Sequence, residues 1–408
     1  MAVSLALADE TRLREPALSA EDAVMVSPER LTRFYLANHF LLHNAGRQHV
    51  VDVAGVVCGL HSQLPLTPHF SLWNRVSDFR PEMLDRALYR EKSLVKTWFM
   101  RGTLHIISAK DLPLYHNALK RMWFEHHGRF MENPRWPSAE AREKLLYPKI
   151  AEVLAEKPLR RKELSERVHV LLGKKEQRYA GLFSAWGGIL KETSYLGLTV
   201  YGEPCGKETC FARLDRWLPN INIDCVNEDK AREELLLKYL HCYGPASAQD
   251  FACWSGLLTS EAKKAIEERT ADLVQVQRQN NKKSLWMLKK DLSILQKLDL
   301  EERPPLRLLP KFDSYLLGHK DRTRIIDEVF LKQVFRPVVG EVAATVLING
   351  HIVGTWTHKK TKGKLEIAIK PFRKYDRETV DELGQVAKEL GILMSAKETT
   401  VLLNAESM

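Results

Sequence analysis

The sequence predicts a mainly α-helical α+β fold: three tandem winged helix domains followed by a small C-terminal β-barrel. Three observations carry this expectation. Apolar residues recur at helical spacing through most of residues 28–268. Three pairs of short strand-like runs interrupt them, at Leu94–Ser108, Leu196–Leu214 and Leu273–Leu288. Each follows a set of helices, so the pattern of helix, helix, helix, hairpin returns roughly every 90 residues. After Arg303-Pro304-Pro305 the grammar changes to short alternating strands.

The elements are justified in order. Residues 1–26, with Asp9, Glu10, Glu15, Glu21 and Asp22, suit neither a signal nor a transit peptide and read as a flexible tail. Ser27-Pro28 is an N-cap with proline at the first helical position; the helix it opens buries Leu31, Phe34, Tyr35, Leu41 and Leu42 and ends near His43. Val50, Val53, Ala54 and Val57 form the buried stripe of a second helix. Pro65 stops it, leaving His61 and Gln63 in its last turn. A helix from Pro81 to about Tyr89 and a hairpin turning at Arg101-Gly102 follow, then a helix from Asp111 to His127. A polar linker, Glu132–Ser138, opens the second round: helices at Glu140–Leu154, Arg161–Leu172 and Tyr179–Glu192, then a hairpin. The third round uses Asp229–Cys242, Ser247–Trp254 and Thr259–Glu268, with a hairpin across Asn280-Asn281. In the last part, strands lie in PLRLLP, Val338–Leu347, His351–Trp356, Lys364–Ile369 and Thr399–Leu403, with a helix at Arg377–Leu390. Asn349-Gly350 is a two-residue hairpin turn. The expected domains are therefore 27–131, 132–218, 219–303 and 304–408.

Composition narrows the function classes. No apolar run approaches the ~20 residues of a membrane span, so a cytoplasmic protein is expected. The six cysteines are too scattered for a disulfide framework, and Cys205 and Cys210 lack companions for a metal site. No metal and no cofactor are expected. The formal charge is +10 and the pI about 9.2. Basic runs at 157–178 and 355–374, the latter with Lys359 and Lys360, coincide with turns and hairpins, as in a nucleic-acid footprint; solvated faces are the bland alternative.

The wider pattern is more specific. LHSQLPLTPHFSLWNR, MRGTLHIIS, YGPASAQDFACWSGL, LLPKFDSYLLGHKDR and VLINGHIVGTW, in this order from about residue 28 to 403, resemble the AlkZ and YcaQ family of bacterial DNA glycosylases. The resemblance implies excision of N-alkylated purines from double-stranded DNA, including unhooking of interstrand crosslinks made through purine N7. The family's catalytic signature is Gln, a hydrophobic residue, then Gln or Asp, after Gly-Leu. It falls on Gly59-Leu60-His61-Ser62-Gln63, with His61 in place of the first Gln and Ser62 in place of the hydrophobic residue. It also implies a role at the mouth of the site for Asp313, Tyr315 and Arg322, with a structural strand–turn motif as the alternative.

The chemistry of those side chains is consistent with this. An N7-alkylated purine carries a positive charge and departs neutral, so it needs little acid assistance. The Gln63 amide can orient a water, and His61, ordinarily titrating near pH 6.5, can orient or deprotonate it. Asp313 is the one carboxylate expected near the sugar, to stabilise positive charge. Arg101 is a phosphate contact or a hairpin ion pair, and the Asn349-Gly350 hairpin enters a groove or is an ordinary turn. The reading from another class is a DNA-binding regulator or architectural protein without catalysis, dimerising on palindromic sites; a monofunctional, monomeric enzyme is the reading adopted.

Overall fold

In the computed structural model, described for residues 23–131, 136–173, 181–184, 188–279 and 283–403, the chain divides into two compact units. The first comprises residues 1–81, 236–254 and 258–408; the second comprises 82–235 and 255–257.

In the first unit, Ser27 caps the Pro28–Asn38 helix by accepting from the Arg30 amide, as its sequence suggests. That helix stops five residues before His43. Phe40 adopts a left-handed conformation (φ 55°), and the Leu41 amide bonds back to the Leu36 carbonyl, closing a Schellman-type end. The valine-rich helix is also shorter than expected, Val50–Val56. Its stripe is buried as the spacing predicts, but Cys58 (φ 56°) and Gly59 (φ 99°) turn the chain out through the same motif. The Gly59 amide bonds to the Ala54 carbonyl at 2.9 Å. His61 therefore lies on a two-residue strand, Leu60–His61, and Gln63 in the bend after it, rather than on a helical tip. The next helix is Thr67–Trp73.

Part of the expected tail is ordered. Val24–Val26 pairs in parallel with Leu273–Arg278, which pairs with Ser284–Leu288. The apolar Val-Met-Val triplet fills the sheet edge, burying Val26. Residues 1–22 and the Asn280-Asn281 turn lie outside the described residues, as do Glu132–Arg135 of the linker and Tyr179–Ala180 at the start of a helix whose described part is Gly188–Tyr195.

The C-terminal strands form an open sheet rather than a closed barrel, in the order Arg307–Leu309, Thr345–Ile348, His351–Thr361, Lys364–Pro371, Glu398–Leu403. The last strand runs parallel to its neighbour, so the chain crosses over through the Arg377–Leu393 helix, which covers one face. Leu383, Ala387 and Leu390 pack on Leu365, Ile367, Ile369 and Trp356, and the two edge strands stay apart.

The Asn349-Gly350 turn is formed, with φ of 49° and 79°. Its tip points inward: the Tyr315 hydroxyl donates to the Gly350 carbonyl at 3.0 Å, and a Cβ at Gly350 would stand 2.2 Å from Thr32 Cγ2. Gly350→Ala combines a left-handed backbone with overpacking and is expected to cost about 1–3 kcal/mol. A lowered urea midpoint checks this; an unchanged one excludes the inward tip.

In the second unit, the Leu94–Trp98 and Leu104–Ser108 hairpin and the Thr199–Cys205 and Glu208–Arg213 hairpin share one sheet, joined where Lys96 faces Tyr201. The Leu159–Arg160 strand adds to its end. Arg161–Leu172 is a helix at the predicted bounds.

Three buried histidines carry a pH dependence. Burial, helped by Arg75 and Arg324, holds His39 well below the usual imidazole range. Burial and Arg324 push His319 down to about 4, and burial and Lys120 do the same to His116. Each is neutral in the fold but protonates near pH 6.5 when the chain unfolds. Their stabilising contribution is complete above pH 6.5 and is lost as pH falls toward the folded values. Thermal melts are expected to drop steadily between about pH 6.5 and 4.5. A melting temperature flat across that window excludes neutral burial.

Candidate active site

The site is built by two segments of the first unit that are far apart in sequence, residues 60–75 and 307–315. The Thr67–Trp73 helix puts Thr67, Ser71, Asn74 and Arg75 along the second segment. Thr67 Oγ1 donates to the Lys311 carbonyl at 3.1 Å, and Asn74 Nδ2 to the Leu308 carbonyl at 2.9 Å. At the centre lies Asp313. Arg75 grips it with two parallel bonds, Nη2 to Oδ1 at 2.6 Å and Nη1 to Oδ2 at 2.9 Å. Ser71 Oγ donates to Oδ2 at 2.9 Å, and the Tyr315 amide to Oδ1 at 3.0 Å. Both side chains are 0% exposed. Four donors fill both carboxylate oxygens, and the guanidinium neutralises the charge.

Asp313 thus has the strand–turn role: it caps the Ser314–Leu317 helix and locks the loop before it. That loop carries Phe312 in a left-handed conformation, φ 60°, an arrangement a bulky residue adopts only when its surroundings over-determine it. The Phe312 ring stacks on His61, with centroids 4.5 Å apart and planes 15° from parallel. His61 is 5% exposed, Phe312 is half-buried, and Gln63 is exposed on the loop beyond, beside exposed Leu64 and Leu66. The arrangement presents an amide to solvent two residues along the chain from an imidazole held flat by an aromatic platform.

Other sequence candidates fall elsewhere. Tyr315 is a core residue, 1% exposed, bonded to Gly350 rather than lining a mouth. Arg322 lays its guanidinium 4.0 Å from the Phe335 ring centroid, where burial lowers its pKa. Lys359 is exposed opposite Glu366, and Lys360, also exposed, donates to the Met394 carbonyl. Arg101 belongs to the second unit, at its hairpin tip with φ 54°. Cys205 and Cys210 bring their sulfurs to 3.0 Å in the hairpin of that unit; burial, then the neighbouring thiol, pushes Cys210 up to about 11. Among the described residues no cluster of three or more metal-ligating side chains occurs.

Sequence reasoning passed over Phe312, Ser71 and Arg75, although all three lie inside the two quoted motifs. The available signal was the four-residue spacing of Ser71 and Arg75, which brings a hydroxyl and a guanidinium to the same side of the Thr67–Trp73 helix and the turn that ends it.

A family model described as DNA glycosylase AlkZ-like matches residues 55–392, most of the chain and both segments of the site. The chain belongs to the AlkZ-like DNA glycosylase family. It is accordingly an enzyme that cleaves N-glycosyl bonds in DNA. The interstrand DNA cross-link repair glycosylase of Streptomyces sahachiroi is 26% identical over 368 residues, covering 84% of this AlkZ-like chain and 91% of the relative. The solved structure of Streptomyces sahachiroi DNA glycosylase AlkZ has the same fold, with a TM-score of 0.77 at 22% identity, covering 93% of this chain and 100% of that one. Among the described residues of this AlkZ-like chain, no helix is long and apolar enough to cross a membrane.

Proposed function

We propose that this member of the family hydrolyses N7-alkylated or bulky purine nucleotides in double-stranded DNA, including interstrand crosslinks, with His61 and Gln63 at the attacking water. The observation that carries the reading is the seating of the family signature. His61 is stacked on Phe312 and Gln63 stands in solvent one bend away.

Breaking the bond requires a departing base, a positioned water and stabilisation of an oxocarbenium-like sugar. Alkylation at N7 supplies the first, because the charged purine leaves neutral. The Gln63 amide oxygen accepts from the water and orients it. The imidazole of His61, its plane fixed by Phe312, accepts a hydrogen bond from the water's other O–H and completes its orientation. With a charged base departing, this positioning outweighs removal of the proton, which passes to the imidazole or to bulk water once the sugar is attacked. Asp313 has no free lone pair, so no carboxylate of this loop reaches the sugar directly. That suits a substrate whose leaving group is already activated.

The relative named as a cross-link repair enzyme supports the inclusion of crosslinks. The helix-then-hairpin pattern of the sequence supports three tandem winged helix domains, with boundaries near 131, 218 and 303. A monomer in the cytoplasm completes the reading. No lysine lies in the signature, so the enzyme is monofunctional, with water rather than an amine as nucleophile.

The test is base release from duplexes carrying N7-methylguanine or a nitrogen-mustard crosslink, with enzyme in excess. Abasic sites on at least one substrate are expected. Their absence from all of them, or a borohydride-trapped covalent complex, overturns the reading.

A further inference from the structure

A cavity of about 410 Å³ opens in the first unit, and its wall includes neither His61 nor any residue from Gln63 to Arg75. Four cations line it: Arg278, at the end of the Leu273–Arg278 strand, and Lys283, just before the Ser284–Leu288 strand, with Lys320 and Arg324 from the segment after the 307–315 loop. Two carboxylates share the wall, Asp250 and Asp321.

These acids are occupied by neutral donors. Asp250 accepts from the Ser247 amide at 2.9 Å, the Ser247 hydroxyl at 2.6 Å and the Lys320 amide at 2.8 Å. Asp321 accepts from the Thr323 amide at 3.0 Å and hydroxyl at 2.7 Å. Among the described residues, neither Arg278, Lys320 nor Arg324 forms an ion pair with a carboxylate within bonding distance.

Arg324 is also pre-organised. Its guanidinium lies 3.8 Å from the Tyr35 ring centroid and 5.3 Å from that of Tyr315, and Nη1 donates to the Tyr315 hydroxyl at 3.2 Å. An arginine fixed by two aromatic rings, with only one of its five N–H groups so engaged, is built to meet an oxyanion. The remaining wall, with Pro245 and Leu285, suits the sugar or base attached to such a group.

We propose that this cavity binds a phosphate ester of a nucleotide, held by Arg324 and by Arg278, Lys283 and Lys320, as a site separate from His61 and Gln63. The proposal stands on the cavity alone and does not depend on the chemistry at His61. The phosphate has two sources, a phosphodiester of the DNA duplex or a free mononucleotide, and both present the same oxyanion.

The experiment compares the full chain with an Arg278→Gln/Lys320→Gln variant and with Arg324→Gln, each verified by a thermal melt. Binding of an undamaged labelled duplex is followed by anisotropy across a salt series, and deoxyadenosine 5′-monophosphate and inorganic phosphate are titrated by calorimetry. For a duplex phosphodiester, the double variant binds about 3- to 10-fold more weakly, and its log–log salt slope shrinks by about one unit. For a free ligand, the mononucleotide binds the wild type and not the double variant, with duplex affinity unchanged. If neither duplex nor mononucleotide distinguishes a folded double variant from the wild type, the proposal is overturned. Arg324→Gln, where it folds, follows the same arm.

Discussion

Gln63→Ala is expected to lower single-turnover base release from an N7-alkylated duplex by about 100-fold while leaving the melting temperature in place. The side chain is exposed, so its removal opens no cavity, and duplex binding through the rest of the surface persists. His61→Ala is expected to lose a similar factor, but with some stability, because His61 is buried against the Phe312 ring. The two roles separate with His61→Gln, which restores the amide usual in the family signature. An amide orients water but takes no proton at ordinary pH. With a leaving group already charged, positioning dominates, and His61→Gln is expected to retain activity within about tenfold of wild type. A loss as large as that of His61→Ala assigns proton transfer to the imidazole. Wild-type rates for Gln63→Ala remove Gln63 from the mechanism and leave the attacking water to be positioned by other groups.

The second large effect is on stability. Arg75→Met leaves the fully buried Asp313 carboxylate without its counter-charge, and such a loss costs about 3–5 kcal/mol. Asp313→Leu strands the guanidinium and costs a comparable amount. The pair Arg75→Met/Asp313→Leu, which removes both charges, is expected to recover much of that loss, since the penalty comes from an uncompensated buried ion. A double-mutant cycle on urea midpoints measures the coupling; additive losses exclude the pair as a clamp. Base release provides a second reading, because freeing the loop releases Phe312 from its left-handed conformation and His61 from its platform. The double variant is expected to regain stability and still release bases slowly.

Much of the architecture was legible. Helix bounds such as Arg161–Leu172 and Thr259–Glu268, and strands such as Leu273–Arg278, follow from local periodicity and turn chemistry. What was not legible has two physical origins. The ends of Pro28–Asn38 and Val50–Val56 depend on Phe40 and Cys58 adopting left-handed conformations that glycine usually takes. An apolar run reads as continuous through such a turn, although Gly59 was a usable mark. The barrel expectation failed because local pattern does not say whether the last strand runs parallel or antiparallel. At the site, the signature put forward His61 and Gln63, which the proposed mechanism keeps, while Asp313 looked catalytic for the reason any carboxylate in a motif does. Only its partner, Arg75, 238 positions earlier, turns it into a clamp.

That separation also bears on how the enzyme comes into being. Contacts so distant in sequence form late, because closing a loop of more than two hundred residues costs entropy before any bond repays it. A ribosome must release nearly the whole chain before Arg75 meets Asp313 and the His61 platform assembles. Fragments ending before residue 312, whether from stalled synthesis or from proteolysis, hold the complete signature and yet lack its support. On the proposed mechanism, the segment through Tyr315 is therefore no accessory that can be trimmed from a self-sufficient signature.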